Sequence, residues 1–118
     1  MPLLTAFAAS CGFLGVALGA FGAHGLEGRL DAKAAGWWET ASFYLLLHAV
    51  AALAIALSGR EGLGGAGGWC LAAGAALFAA TLYAMALGAP RVLGAVTPVG
   101  GTVMLIGWAL VLISAFRS

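Results

Sequence analysis

Four runs of uncharged, mostly apolar residues divide the chain, and short polar breaks separate them. The nine charged residues are Glu27, Arg29, Asp31, Lys33, Glu39, Arg60, Glu61, Arg91 and Arg117, which leaves charge-free stretches of 26, 20, 29 and 25 residues. A helix rises about 1.5 Å per residue, so about 20 apolar residues cover a hydrocarbon core about 30 Å thick. Each run is long enough to span. Backbone polar groups in lipid must pair within the protein, which leaves helices or closed barrels, and the alternating polarity of barrel strands is absent. The pattern predicts an all-α integral membrane four-helix bundle with helices near 3–25, 37–57, 67–88 and 98–116, in one transmembrane domain over 1–118.

Residues at the ends of the runs refine the boundaries. Thr97 and Pro98 read as an N-cap and first-turn pair, since a hydroxyl can take a free backbone N–H and proline lacks the donor that would be orphaned there. Trp37 and Trp38 open the second span and Trp69 opens the third, as interface anchors. Gly64 to Gly68, four glycines around Ala66, reads as a flexible connection. The stretch 27–36 is a mixed-charge linker with room for one helical turn. The small residues of ALGAFGA resemble a signal-peptide cleavage site, but the start MPLLTAF has no positive charge and the apolar run is too long.

Four spans put both termini on one side, here side A, together with the Arg60 loop. Side B holds the 27–36 and 88–97 loops. Arg60 and Arg117 on side A stand against Arg29, Lys33 and Arg91 on side B, a balance from which the positive-inside rule reads no orientation.

Small residues predict how the spans meet. Gly12, Gly15, Gly19 and Gly22 fall on one helix face, Gly67, Cys70, Gly74 and Thr81 repeat the device in the third span, and Gly100, Gly107 and Ser114 in the fourth. Helices in lipid associate by close van der Waals contact, which small residues permit. Packing interfaces of Gly and Ala are the plain reading.

Composition sharpens the search for chemistry. Of 118 residues, 64% are hydrophobic and 8% charged, against about 25% charged in soluble domains, so each polar group inside a span matters. Thr40, Tyr44 and His48 follow one another at i, i+4 steps and line one face of the second span. His48 lies one residue past its midpoint, where an ionisable side chain is costly and marks a functional site by default. The competing reading is interhelical glue. His24, flanked by Gly22 and Gly25, lies at the side B interface as a capping or interfacial histidine, or as part of the same site. With Tyr83, Thr81 and Thr97 also in the side B half, the polarity is lopsided and suggests a vestibule opening toward side B with His48 at its floor. Mutual hydrogen bonding among helices would produce the same distribution. Glu39 points away from the Tyr44 and His48 face.

Cys11 and Cys70 lie at different depths with no metal-binding spacing, so no disulfide and no metal site is expected. A nucleotide loop, paired carboxylates, an aligned nucleophilic triad and a basic patch for nucleic acid are absent. Neither an enzyme nor a cofactor is expected.

Four segments carry a family resemblance. GVALGAFGAHGL followed by WETASFYLLLHAVAAL, continued by LFAATLYAMAL and VTPVGGTVMLIGWAL, resembles the small bacterial membrane proteins grouped as domain-of-unknown-function family 423, related to animal transmembrane protein 256. The resemblance covers nearly the whole chain. It implies four helices in a bacterial inner membrane and, through the family's basic tails, a cytoplasmic side A. The family's recurring positions fall on Gly19, Phe21, Gly22, Ala23, His24, Trp38, Thr40, Tyr44, His48, Tyr83, Thr97, Pro98, Gly100 and Gly101. Leu45 and the segment Ala79 to Thr81 depart from its polar pattern, which weakens any network that needs those positions.

Two function classes follow. One is a bundle whose polar pocket, drawn from His24, Thr40, Tyr44, His48 and Tyr83, binds a small molecule, lipid or ion, as a transporter or channel oligomer. Its partners would be the lipid bilayer and further copies of the chain. The other is a structural or accessory subunit that packs on a larger membrane complex through its glycine faces. A lined cavity reaching His48 favours the first, and a dry bundle with an exposed glycine stripe favours the second.

Overall fold

The computed structural model describes residues 1–117. Helices α1 (Pro2–His24), α2 (Ala32–Ser58), α3 (Leu63–Ala86) and α4 (Thr97–Ser114) follow in order, and a 3₁₀ turn over Arg91–Ala95 joins α3 to α4. Four spans, the last counted from Arg91 through Ser114, are long and apolar enough to cross a membrane.

Each helix lies where an apolar run predicts it, and each shifted boundary has a physical cause. Helix α2 begins at Ala32, inside the expected linker, because the Asp31 carboxylate caps it by accepting the Ala34 N–H at 2.8 Å. The apolar run marks only the part of that helix that needs lipid. At 27 residues α2 is about 40 Å long, so its first turn stands beyond a core of about 30 Å. Gly59, left-handed at φ 73°, ends it.

The glycines at 64–68 are helical rather than a flexible connection. All four are buried in the first turns of α3, and their missing side chains make room for Arg60, for Met1, for the α4 backbone, and for Leu4 with Ile55. Thr97 is likewise the first residue of α4 and not its cap, which is Val96. Its hydroxyl turns back to the Leu93 carbonyl at 3.1 Å and meets the Thr81 hydroxyl at 2.7 Å.

Helices pack in chain order, α1 on α2, α2 on α3 and α3 on α4, with a smaller contact of α1 to α3. At backbone distance α4 meets only α3 and the 3₁₀ turn. The result is a flattened body, 50 × 26 × 18 Å, in which α3 is the most buried helix. Because α2 and α4 flank α3 without closing on each other, a cleft runs between them.

Two glycine seams hold the layers. In the first, Gly12, Gly15, Gly19 and Gly22 of α1 face Ala49, Leu46, Ser42 and Trp38 of α2. In the second the facing atoms are backbone: a Cβ on Gly74 would lie 2.9 Å from the Gly100 carbonyl oxygen, and one on Gly107 would lie 3.0 Å from that of Gly67. Met1 against Gly65 and Arg60 within 3.4 Å of the Ser114 hydroxyl gather the N-terminus, the α2–α3 connection and the end of α4 at one end of the body.

Candidate functional site

At the middle of α2, His48 is 3% exposed and bridges to α4. The Trp108 indole N–H donates to His48 Nε2 at 3.0 Å. An indole nitrogen can only donate, so Nε2 must accept, and the imidazole proton sits on Nδ1. That nitrogen donates in turn to the Tyr44 carbonyl one turn earlier, at 2.8 Å. Both ring nitrogens are therefore paired in the neutral form. The imidazole also meets the Trp108 ring edge-on, centroids 5.7 Å apart, and lies nearly parallel to the Tyr44 ring at 5.9 Å.

This bridge borders the α2/α4 cleft, a cavity of about 620 Å³ lined by Tyr44, Leu47 and His48 of α2, Phe78 of α3, and Pro98, Gly101, Thr102, Met104, Leu105 and Trp108 of α4. Tyr44 is 38% exposed and Leu105 71%, so the cleft opens sideways, toward the membrane. Phe78 and Pro98 also border a neighbouring hollow of about 390 Å³ whose walls include Trp37, Leu82, Met85 and Arg91. There the Lys33 ammonium and the Arg91 guanidinium both lie over the Trp37 ring, at 5.6 and 5.8 Å from its centroid.

A second polar centre lies on the other side of α3. Trp38, expected as an interface anchor, is buried at 4% exposure, and its indole N–H donates to the Leu18 carbonyl of α1 at 2.7 Å. Gly22, one turn beyond Leu18, leaves that carbonyl uncovered. Tyr83 meets the Trp38 ring edge-on at 4.5 Å and shares a 2.7 Å hydrogen bond with Ser42. Of the departures from the family's polar pattern, Leu45 and Ala79 are buried apolar residues of the same core cluster.

The five candidate residues are thus not one site. Tyr44 and His48 line the cleft together. Tyr83 belongs to the Trp38 centre, because it meets Trp38 and Ser42 of α2, whereas Phe78 of the same helix lines the α2/α4 cleft. His24 is exposed at the last turn of α1, where a basic group meets the negative end of the helix dipole. Thr40 is exposed as well: eight residues of helix turn about 80°, enough to carry it off the face His48 occupies. Trp108 and Ser42, partners of the two centres, were not among the candidates. A tryptophan deep inside an apolar run, far from either interface, was the available signal for Trp108. Cys11 and Cys70 are free thiols, and among the described residues no three His, Cys, Asp or Glu side chains cluster as metal ligands would.

The family described as "Protein of unknown function (DUF423)" matches residues 18–101. A UPF0382 membrane protein of Staphylococcus haemolyticus is 40% identical over 99% of this chain and 98% of its own length. A UPF0382 membrane protein of Haemophilus influenzae is 44% identical over 91% of this chain and 88% of its own. The UPF0382 inner membrane protein YgdD of Escherichia coli K12 is 43% identical over 94% of this chain and 87% of its own. No solved structure matches the chain.

Proposed function

The chain belongs to the DUF423 family of membrane proteins, a family of unknown function, and from that premise we propose that it holds a hydrocarbon chain, of a lipid or lipid-like small molecule, in the α2/α4 cleft. One observation carries this reading: the polar groups along the cleft are already paired inside the protein. His48 has both nitrogens engaged, Thr102 donates to the Pro98 carbonyl at 2.8 Å, and Thr97 is tied to Leu93 and Thr81. Apart from the Tyr44 hydroxyl, an occupant meets hydrocarbon and ring faces.

Ion passage needs polar groups free to replace a hydration shell, and a polar solute needs donors and acceptors of its own to meet. Beyond the single Tyr44 hydroxyl the cleft offers neither. Its volume lies in the range of small-molecule sites, about 300 to 1,000 Å³. No catalytic step belongs to this reading. The accessory-subunit alternative finds less support, because the glycine faces it would dock through are turned inward: α1 presents its stripe to α2, and the stripes of α3 and α4 face each other.

Photolabelling tests the proposal. A phosphatidylcholine with a diazirine on its acyl chain, reconstituted with the full chain, should label Leu47, Leu105 and Trp108 above the outward residues Phe13 and Val16 of α1, which are 75% and 62% exposed. Gly101→Leu should remove the excess, since a Cβ there makes ordinary contact with Phe78 at 3.9 Å and the rest of the side chain occupies the cleft. Equal labelling of cleft and α1 face would overturn the reading.

A further inference from the structure

We propose that the occupant is an anionic phospholipid of the side B leaflet, held by its phosphate between Arg91 and Lys33 with one acyl chain running down the cleft to the His48–Trp108 bridge. The inference rests on the cleft reading above and adds the headgroup and the leaflet.

Adjacency is the first support. Phe78 and Pro98 line both the Tyr44/His48 cleft and the Arg91 hollow, so two shared side chains connect the walls of the bridge and of Arg91, and Lys33 joins through the Trp37 ring. Depth is the second. From Pro98 to Trp108 the helix rises about 15 Å, half of a hydrocarbon core of about 30 Å. One leaflet is the length that a single acyl chain fills, and the bridge stands where that chain would end. A transmembrane helix of a partner would need the full thickness.

Charge complementarity is the third. Lys33 and Arg91 come from different elements, the first turn of α2 and the 3₁₀ turn, yet both sit over one indole ring. Trp37 presents its ring to both charged groups and lies near the start of the second apolar run, where an indole suits the headgroup region. Basic residues between spans bind anionic headgroups, and a guanidinium with an ammonium supplies a planar fork and a point charge to one phosphate. A free phosphate in water would gain the charges but nothing from the cleft below them.

Native mass spectrometry of the full chain, released from detergent with either phosphatidylglycerol or phosphatidylcholine, reads the selectivity. Phosphatidylglycerol should be retained in preference, by about fivefold for each basic side chain. The double variant Arg91→Gln, Lys33→Gln should bring retention to the phosphatidylcholine level while leaving acyl-chain photolabelling of the cleft in place. The exchange Arg91→Lys, Lys33→Arg keeps both charges and should keep the preference. Inorganic phosphate at excess should not displace the lipid. If the glutamine variant keeps the preference while Gly101→Leu still abolishes cleft labelling, the headgroup assignment falls and the cleft reading stands. If Gly101→Leu leaves both binding and labelling unchanged, the cleft reading falls first.

Discussion

Two tryptophan joints tie the helices together with the same chemical device and opposite surroundings. Trp38 donates across α1 and α2 to the Leu18 carbonyl, and Trp108 donates across α2 and α4 to His48. The Trp38 ring is sealed among side chains, 4% exposed, with Phe21 and Tyr83 on it, and it shares with Gly22, Glu27, Glu39 and Ser42 the border of a separate hollow of about 470 Å³ by the α1–α2 connection. Trp108 is 44% exposed and lines an open cleft. In the first joint the acceptor is a backbone carbonyl uncovered by a glycine, so that the ring fills the space the glycine leaves. In the second, the acceptor is a side chain that itself depends on a second hydrogen bond, and the ring has a free face. The sealed joint acts as packing. The open one combines a fixed geometry with an accessible wall, which is what a binding site requires.

Tryptophan to phenylalanine at both positions puts that comparison under the heaviest load. At Trp38 the substitution removes an interhelical hydrogen bond and leaves part of a ring's volume empty between α1, α2 and α3, where helices in contact cannot collapse without moving Gly22 and Tyr83. Trp38→Phe should cost about 2–3 kcal/mol, a hydrogen bond of about 1 kcal/mol plus a cavity penalty. Reversible unfolding by sodium dodecyl sulfate in mixed micelles measures it. A loss under about 1 kcal/mol, the hydrogen bond alone, would mean the joint is not sealed.

Trp108→Phe should cost less, about 0.6–1.7 kcal/mol, from the average to the largest value measured for hydrogen bonds between membrane helices. Lipid fills what the smaller ring vacates, so the cavity part is missing. His48→Phe removes the same bond from the other side, and a double-mutant cycle with Trp108→Phe should return a coupling in that range. If the pair shows no coupling, the bridge contributes no stability and His48 is held by the Tyr44 carbonyl alone. If Trp108→Phe costs as much as Trp38→Phe, the two joints are equivalent and the comparison fails.

How much of this was legible in the chain differs by kind of information. The spans were, because apolar length is a property of a single segment, and so was the α1 stripe, whose 3 and 4 spacing determines one face. Its target was not: nothing local says that Gly22 waits for Trp38. The depth of His48 was readable as costly, and its burial follows. Its partner sits 60 residues away, and only the placement of α4 against α3 decides that pairing. That placement is set by backbone contacts at Gly74 and Gly100, which sequence spacing marks as close but not as belonging to each other. Trp37 and Trp38 looked alike at the mouth of a span, yet neighbours on a helix point about 100° apart. One lines the Arg91 hollow, half-buried, and the other lies in the core. Thr40 was misplaced by a similar angular drift, and Tyr83 because α3 carries two working faces, one for each joint.

Tyr44→Phe tests the finest distinction between the joints and carries the smallest effect. In the sealed joint a tyrosine works through its hydroxyl, since Tyr83 pairs with Ser42 at 2.7 Å. In the open joint the group of Tyr44 that hydrogen-bonds His48 is its backbone carbonyl, which the substitution leaves in place, and its ring keeps its contacts with His48 and Phe78, at 5.9 and 4.9 Å between centroids. Stability should therefore change by less than about 0.5 kcal/mol, as for a surface position away from any network. The matching change Tyr83→Phe should cost about 1 kcal/mol, a lost interhelical hydrogen bond that leaves the Ser42 hydroxyl to repair itself. Acyl-chain labelling of the cleft should persist in Tyr44→Phe, because the wall becomes only more apolar. A loss of labelling with unchanged stability would show that the hydroxyl holds the occupant directly, and would move the site from hydrocarbon recognition to a polar contact one turn from His48.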